Sequence, residues 1–251
     1  MPSQLWEKHN LDTEDLTSGK TPFIIIPNVI SESTCALLSE KILKNYKTIP
    51  GPGIKNKIGT SLGSHIYEKS NYFLNSKKSN TLIENIFSDG YSPLKPMHQI
   101  ISQTFQKQLS TASENKMSYS DCVIRIHNNG DSVHLHRDNC NFEMPDYTVS
   151  KYKNQLSAIL YLQSPELGGE LTVYDKQWNR YDELSRQPDF GYSFDLVTGT
   201  SHTSILPIAG SLVLLNPNFY HKVESVYGNK PRISIGFFFA ESSEYELSCW
   251  T

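Results

Sequence analysis

The second half of the chain is built from short apolar segments separated by polar turns. Five such segments follow residue 118, namely CVIRIH, LSAILYLQ, GGELTVYD, SLVLLNP and RISIGFFFA. Their lengths and their β-branched and aromatic residues predict strands, and many short strands are typical of antiparallel sandwiches and barrels. We therefore expect such a core over residues 119–241. A long polar insert at 175–207 interrupts it, and inserts of this length in compact domains are usually functional or mobile.

The residues before this core have helical patterns and one strand. TPFIIIPNV, at 21–29, is β-branched and bounded by prolines, which predicts a strand. Ser31 precedes a segment with apolar residues at helical spacing, and residues 96–112 form a second amphipathic segment. We predict a single α+β domain, 1–251, in which residues 1–118 supply helical support and a first strand to the β core.

Length, charge and hydropathy narrow the class of protein. A chain of 251 residues buries a sizeable core, and its four cysteines form no Cys-x-x-Cys pair, which predicts free, buried thiols. The net charge of −3 offers no basic field for nucleic acid. The apolar runs are too short to cross a bilayer, and the first residues lack a secretion-signal pattern. We therefore expect a cytoplasmic protein without a nucleic-acid or membrane partner, and the oligomeric state is left open.

A His-x-Asp pair lies in the strand-rich region. His136 and Asp138 are two residues apart in NNGDSVHLHRDN, and residues i and i+2 of an extended strand point the same way. An imidazole and a carboxylate are ligands suited to Fe(II), Mn(II) or Zn(II). Because His-x-Asp also recurs by chance, the pair indicates a candidate metal site only together with a further ligand.

A histidine and a cation nearer the C terminus extend this pattern. His221 follows the apolar segment SLVLLNP, and Arg232 and Ser234 share one face of the last predicted strand. A guanidinium and a hydroxyl on one face suit a carboxylate held by charge-assisted hydrogen bonds. Two histidines and one carboxylate on one side of an ion leave open positions opposite, which is the facial arrangement of non-haem Fe(II) oxygenases.

The order of these residues resembles that of the Fe(II)/2-oxoglutarate-dependent oxygenases. His-x-Asp, a long gap, His and then Arg-x-Ser follow the family's order, and Gly130-Asp131 precedes the first pair as in its prolyl-hydroxylase-like branch. LSAILYL, GGELTVYD and GSLVLLNP resemble the central strands of this branch, and the resemblance covers roughly residues 20–241. GGELTVYDKQWN and the IGTSL…NYF region are most similar to carrier-independent halogenases and amino-acid hydroxylases that act on free small molecules. The resemblance implies a double-stranded β-helix core, also called a jelly roll or cupin-like fold.

The resemblance also implies roles for individual residues. Those implied to bind iron are His136, Asp138 and His221. Those implied to hold 2-oxoglutarate are Arg232, Ser234 and, where many relatives have a tyrosine, His127. The candidates for substrate contact are His134, Asn139 and Trp178. Arg125 is a further candidate, although a strand arginine is expected to face outward.

The implied activity is the hydroxylation of a C–H bond in a small free metabolite, such as an amino acid or an amino-acid-derived natural product. The implied cofactors are Fe(II), 2-oxoglutarate and O₂, which together provide a ferryl oxidant. The related halogenases have Gly or Ala instead of the metal-binding carboxylate, so Asp138 favours hydroxylation, or an oxidation such as desaturation, over halogenation. Three alternatives stay open: a hydroxylase of peptide or protein side chains, a non-catalytic jelly-roll binding module, and a zinc hydrolase on a similar barrel, in which Arg232 and Ser234 would have no role.

Overall fold

A computed structural model describes residues 12–46, 56–88 and 90–251 of the chain. The helices are α1 (Thr13–Ser18), α2 (Glu32–Tyr46), α3 (Lys69–Phe87), α4 (Leu94–Phe105) and α5 (Cys140–Glu143). The strands before the predicted core are β1 (Phe23–Ile26), β2 (Lys57–Ile58), β3 (Gln108–Thr111), β4 (Ser113–Glu114) and β5 (Met117–Ser118). The next strands are β6 (Val123–His127), β7 (Val133–His136), β8 (Lys153–Gln163), β9 (Leu167–Gly168), β10 (Leu171–Gln177) and β11 (His202–Ile205). The last strands are β12 (Leu212–Leu215), β13 (Phe219–Val223), β14 (Val226–Tyr227), β15 (Arg232–Glu241) and β16 (Glu246–Trp250).

Two sheets carry the fold. The larger has eight strands, in the order β1-β12-β8-β15-β16-β3, with β6 paired to β15 and β2 paired to β6. The smaller has four strands, in the order β11-β10-β13-β7, all paired antiparallel. The mixed α and β composition predicted from the sequence is confirmed. No helix in the described ranges is both long and apolar enough to cross a bilayer.

The larger sheet separates a helix-facing core from an interior that faces the smaller sheet. The core side of β8 and β15 consists of buried apolar residues at alternate positions: Leu156, Ala158, Leu160, Leu162, Ile233, Ile235, Phe237 and Phe239. Residues of α2, α3 and α4 complete this core, among them Cys35, Leu38, Ile42, Ile83, Ile86, Met97 and Ile101. Because successive strand residues point to opposite faces, the intervening positions of β15, which include Arg232 and Ser234, face the smaller sheet.

The space between the two sheets is apolar at one end. The residues that pack there include Tyr161, Val213 and Leu215 of the larger sheet and Leu171, Val173, Ile205, Phe219 and Val223 of the smaller one. This packing fixes β7 and β13 opposite β8 and β15. The histidines of the smaller sheet therefore lie across from the Arg232 face of the larger sheet.

Two sequence predictions about local structure are confirmed. The Ser31 hydroxyl accepts a hydrogen bond of 3.2 Å from the backbone N–H of Thr34, which caps the N terminus of α2. The Ser39 hydroxyl, about two turns further on, donates to the Leu162 carbonyl at 3.1 Å and joins α2 to β8. The four cysteines are free and buried.

Helix α4 and the C-terminal strand differ from the prediction. The helix predicted at 96–112 ends at Phe105, because Gln106 adopts a left-handed φ of 53°. The residues that follow form β3, which pairs in parallel with β16. The β core thus continues beyond residue 241, and Trp250 on β16 is only 1% exposed. Neither strand is visible in local periodicity, since each is stabilised by the other.

The polar insert is shorter than predicted and partly ordered by the sheet. Strand β10 continues to Gln177 and β11 begins at His202, so the connection spans residues 178–201. It contains two short 3₁₀ helices, Arg180–Ser185 and Phe194–Val197. Four short strands, β2 to β5, also precede residue 119, where the sequence predicted only the first strand.

Candidate active site

The three residues implied to bind iron come together. His136 ends β7 and lies directly opposite His221 in the register of β7 with β13, and the two ring centroids are 4.2 Å apart. Asp138 follows β7, and its backbone N–H donates to the Pro217 carbonyl at 2.9 Å. Its Oδ2 atom is 3.6 Å from His221 Nε2 and 4.0 Å from His136 Nε2. The strand pairing and one backbone hydrogen bond therefore bring distant parts of the chain to one point.

Both histidines are oriented by the backbone. His136 Nδ1 is 2.8 Å from the carbonyl oxygen of His134, and His221 Nδ1 is 2.8 Å from that of Phe219. Since a carbonyl only accepts, each Nδ1 carries the hydrogen and each Nε2 keeps its lone pair. The two lone pairs are thus available on the side where the carboxylate lies.

The charge states of these groups suit a metal. Burial, together with the nearby His221, lowers the pKa of His136 to about 4, so this imidazole is neutral near pH 7. Burial alone would raise the pKa of Asp138, but the contacts with His221 and His136 lower it to about 2. Metal ligands must be neutral imidazoles and ionised carboxylates, so the site binds a cation without first losing a proton from these groups.

The residues implied to hold 2-oxoglutarate form a second group on the larger sheet. Arg232 is 2% exposed, Ser234 3% and His127 4%. The Arg232 guanidinium donates to the Ser234 hydroxyl and to Nδ1 of His127, both at 3.3 Å. Burial and the Arg232 charge lower the pKa of His127 to about 3, which keeps this imidazole neutral and able to accept. His127 therefore supports the guanidinium.

Tyr161 belongs to the same group, although the sequence reasoning did not single it out. Its position on β8 is opposite Ser234 in the sheet register, and the Arg232 Cζ atom is 5.0 Å from its ring centroid. The Tyr161 hydroxyl and Arg232 Nε are both buried without a hydrogen-bond partner in the described part of the chain. Buried polar groups are almost always paired, so two adjacent unpaired donors indicate the place of an acceptor ligand. The signal in the sequence is a lone tyrosine at an inward position of an apolar strand.

Arg125 corrects an expectation. It was predicted to face outward, and the residue is exposed, but its register on β6 places it opposite Ser234, on the face that carries Arg232 and His127. Burial lowers the pKa of Arg125, the Asp138 charge raises it, and the Arg232 charge lowers it again. Its guanidinium is therefore close to both groups of site residues, and the reason is that the pairing of β6 with β15 turns this strand face inward.

A cavity of about 210 Å³ opens beside two of the three candidate ligands, His136 and Asp138. Its wall also contains Asn139, the apolar and aromatic residues Leu62, Ile66, Phe190, Tyr192, Phe238 and Trp250, and the charged residues Arg137, Glu143, Arg186 and Asp189. Asn139 also caps α5, since its Oδ1 accepts from the Phe142 backbone N–H at 3.0 Å. The side chain of His134 is exposed and does not belong to this wall. The register of β7 with β13 shifts between His136 and Val133, which breaks the alternation of faces at His134, and the His134 carbonyl orients His136 instead.

Trp178 participates in a buried ionic cluster that holds the insert. Its indole N–H donates to Glu183 at 2.6 Å, and Arg137 and the Tyr192 hydroxyl donate to the same oxygen at 2.9 and 2.6 Å. Burial alone would raise the pKa of Glu183, but these hydrogen bonds lower it to about 2. The Arg137 guanidinium also lies 4.4 Å from the Trp178 ring centroid. Trp178 borders a second, more polar cavity of about 290 Å³ that also reaches Asp138.

The donor set fits the metal and cosubstrate that the sequence implied. Within the described ranges, His136, Asp138 and His221 form the one group of histidine, cysteine and acidic residues whose ligand atoms all lie within 4.8 Å of one another. Two imidazole nitrogens and one carboxylate oxygen suit Fe(II). The unpaired donors of Arg232 and Tyr161 suit a carboxylate, which 2-oxoglutarate would supply.

Comparison with curated proteins identifies relatives along most of the chain. "Leucinostatins biosynthesis cluster protein S" of Purpureocillium lilacinum is 26% identical over 216 residues, which cover 82% of this chain and 86% of that protein. L-gamma-glutamyl-L-propargylglycine hydroxylase of Streptantibioticus cattleyicolor is 29% identical over 122 residues, which cover 48% of this chain and 45% of that protein.

Solved structures show the same fold. An N-substituted L-amino acid dioxygenase from Burkholderia ambifaria superposes with a TM-score of 0.67 at 11% identity, over 95% of this chain and 89% of that one. The carbocyclase SnoK of nogalamycin biosynthesis superposes with a TM-score of 0.56 at 14% identity, over 98% of this chain and 90% of that one.

A family model covers nearly the whole chain. The model of the carrier-protein-independent halogenase WelO5 matches residues 3–251. With the donor set described above, this match establishes an enzyme that uses Fe(II), 2-oxoglutarate and O₂. The chain therefore belongs to the WelO5 family of Fe(II)/2-oxoglutarate-dependent oxygenases.

Proposed function

We propose that the protein hydroxylates a C–H bond of a small free metabolite, either an amino acid or a compound derived from one. The observation that carries the choice of hydroxylation is Asp138, whose Oδ2 atom lies 3.6 Å from His221 Nε2 and 4.0 Å from His136 Nε2. The halogenases that the sequence resembles have Gly or Ala at this position, which leaves room for a chloride. A carboxylate here takes up that room.

The two sheets support the more detailed fold that the sequence implied. Taken in chain order, β6, β8, β12 and β15 belong to the larger sheet, and β7, β10, β11 and β13 belong to the smaller one. The chain thus crosses repeatedly between the sheets, as in a double-stranded β-helix. We assign the core to this fold, with the site between its two sheets.

The site residues would have three roles: holding Fe(II), donating to 2-oxoglutarate and orienting Arg232. His136, Asp138 and His221 would hold Fe(II), which supplies the oxidising chemistry when it is bound together with 2-oxoglutarate and O₂. Arg232, Ser234 and the Tyr161 hydroxyl would donate to the distal carboxylate of 2-oxoglutarate. His127 acts through Arg232, because its neutral Nδ1 accepts from the guanidinium and fixes its direction.

The cavity beside the ligands would take the substrate. Its aromatic walls, with Phe190 and Tyr192 from the insert, exclude water from the position where the C–H bond is presented. Asn139 is our candidate for a polar substrate contact there, and Trp178 is one for the second cavity. The exposed His134 side chain is a weaker candidate for substrate contact, since it belongs to the wall of neither cavity.

The names of two relatives support the substrate class. One is a hydroxylase of L-gamma-glutamyl-L-propargylglycine, and the other is a dioxygenase of N-substituted L-amino acids. The first is a γ-linked dipeptide and the second is an amino acid with a substituted nitrogen, so both are small compounds built from amino acids. We infer that the substrate of this chain is a small free compound of that kind and not a side chain of a protein or a longer peptide.

The test is a turnover assay with anaerobically reconstituted Fe(II) protein, 2-oxoglutarate, ascorbate and chloride. The panel contains free L-amino acids, N-substituted and γ-glutamyl amino acids, and short peptides. We expect succinate formation coupled to a product that carries one oxygen atom from labelled O₂. A chlorinated product would overturn hydroxylation, and turnover of peptides alone would favour a side-chain hydroxylase. A protein that binds but never consumes 2-oxoglutarate would be a binding module.

Single substitutions test the ligand assignment. Asp138→Ala and His221→Ala should each abolish coupled succinate formation and weaken Fe(II) binding, because one ligand is removed. Glu244→Ala, at an exposed carboxylate in the turn between β15 and β16, is the matched control and should retain both. If Asp138→Ala binds Fe(II) and turns over like the control, the assignment is wrong.

A further inference from the structure

Two cations lie next to each other at the edge of the site. Lys57 on β2 is directly opposite Arg125 on β6, and Arg125 is in turn opposite Ser234 on β15. Residues that are opposite in adjacent strands lie on the same face of a sheet. Arg125 therefore points into the interior from the strand next to the proposed 2-oxoglutarate residues, and Lys57 comes next along the same row.

Neither cation has an acidic partner in the part of the chain that the structure describes. No carboxylate of that part lies within 4.0 Å of Arg125 or Lys57, and no hydrogen bond of the Arg125 guanidinium is formed. The ammonium of Lys57 donates instead to the hydroxyls of Ser61 and Ser64, at 3.0 and 3.1 Å. Residues 47–55, which precede β2, contain no aspartate or glutamate.

The two like charges are costly where they lie. Burial and the Arg125 charge lower the pKa of Lys57 to about 8. Burial also lowers the pKa of Arg125, although the residue keeps access to solvent. Two adjacent cations that have no acidic partner among the described residues repel each other, and an anion bound between them would relieve this repulsion.

We propose that Arg125, assisted by Lys57, binds a carboxylate of the substrate, so that the enzyme selects small metabolites with a free acid group. This inference rests on the proposed function. It assigns to the substrate a contact on the larger sheet, opposite the metal ligands. Ser61, the hydrogen-bond partner of Lys57, belongs to the wall of the cavity that also contains His136 and Asp138. A substrate in that cavity would therefore lie next to the hydroxyl that Lys57 contacts.

A carboxylate at Arg125 could also come from 2-oxoglutarate, but the substrate is favoured. Arg232 is almost fully buried and has Ser234 and Tyr161 beside it, so one carboxylate of the cosubstrate already has three donors. Arg125 differs from Arg232 in being accessible, which suits a group that arrives with the substrate.

The test measures binding separately from turnover. The protein is loaded with Mn(II) and 2-oxoglutarate, and the probes are the free L-amino acids and N-acetyl-L-amino acids, each paired with its methyl ester. We expect at least one free acid to raise the melting temperature while its ester does not. The dissociation constant of that acid, from calorimetric titration, should rise about 10- to 100-fold in Arg125→Gln, because charge-assisted hydrogen bonds are lost. Arg125→Lys should lose less, and Lys57→Gln should show a smaller rise.

The control variant is Arg180→Gln, at an exposed arginine of the insert that should leave all affinities unchanged. The affinity of Arg125→Gln for 2-oxoglutarate should equal that of the wild type. This unchanged affinity would also show that the variant is folded. If Arg125→Gln loses 2-oxoglutarate affinity instead, the anion is the cosubstrate and the proposal is overturned. It is also overturned if esters bind as well as acids, or if no free acid binds. Failure of turnover with binding intact would instead contradict the proposed function.

Discussion

Replacement of Arg232 by methionine separates its role in binding from its role in stability. The guanidinium is 2% exposed and has no carboxylate partner among the described residues, so the protein without 2-oxoglutarate holds an uncompensated buried charge. Removing an ion from such a place relieves a desolvation cost of several kcal/mol. We expect Arg232→Met to stabilise the ligand-free protein by about 1–3 kcal/mol, since methionine retains most of the apolar stem.

The same substitution should nearly abolish cosubstrate binding. A buried guanidinium donates two charge-assisted hydrogen bonds to a carboxylate, each worth about 1.5–3 kcal/mol. Their loss raises the dissociation constant of 2-oxoglutarate by roughly 10² to 10⁴-fold. At a concentration about 100 times its dissociation constant, the ligand stabilises the wild type by about 2.7 kcal/mol, and this gain should vanish in the variant.

The assay is urea unfolding of the Mn(II)-loaded protein with and without 2-oxoglutarate, together with calorimetric titration of 2-oxoglutarate. Arg180→Met, at an exposed arginine, is the control and should change neither quantity. A variant of Arg232 that binds 2-oxoglutarate as tightly as the wild type would refute the assignment of this residue. A variant that is strongly destabilised without ligand would refute the claim that its charge is uncompensated.

Three further predictions concern neighbouring groups. Burial and the Arg232 charge lower the pKa of His127 from 6.5 to about 3. Below pH 6.5 this imidazole therefore binds a proton in the unfolded chain but not in the folded one. The free energy of unfolding should therefore fall as the pH drops below 6.5, and His127 alone should account for about 2 kcal/mol of this loss at pH 5. His127→Gln should make urea unfolding less dependent on pH. An unchanged pH dependence in this variant would contradict the argument. In Gly169→Ala, the new Cβ would lie 2.9 Å from Arg232 Cδ, and the alanine would have to adopt a φ of +74°. We expect weaker 2-oxoglutarate binding in titration, and a free energy of unfolding in urea that is lower by about 1–2 kcal/mol. Wild-type affinity would show that Arg232 can move aside. Arg137→Met removes one cation from the partly buried Glu183, which keeps Arg186 at 3.2 Å, and should cost about 1.5–3 kcal/mol in urea unfolding, whereas a neutral effect would mean that the cluster is not coupled.

Much of the fold was predictable because its signals are local. The alternation of apolar residues in RISIGFFFA places Ile233, Ile235 and Phe237 on one face, and therefore Arg232 and Ser234 on the other. The same parity argument joined His136 with Asp138. The metal group needed only one further assumption, that His221 returns to the same place, and the order of motifs supported it.

The residues that were missed or misplaced depend on strand pairing. Arg125 was expected outside, because a single strand does not reveal which of its faces a neighbouring strand will turn inward. Trp178, a candidate for substrate contact that borders the second cavity, also donates its indole N–H to Glu183, and this contact was not visible in a polar insert without periodicity. The pairing of β3 with β16 was also invisible, since it joins residues 108–111 to residues 246–249.

The amino-acid order alone determined which side chains share a strand face, and hence the class of chemistry available to this protein. Those relations extend over two to four residues, and backbone geometry sets them before any tertiary contact forms. The structure decided which faces meet. Only the register between strands more than eighty residues apart brings His136 to His221, and only the pairing of β6 with β15 brings Arg125 beside Ser234. Contacts of that kind depend on the packing of the whole core, in which no short segment contains the necessary information.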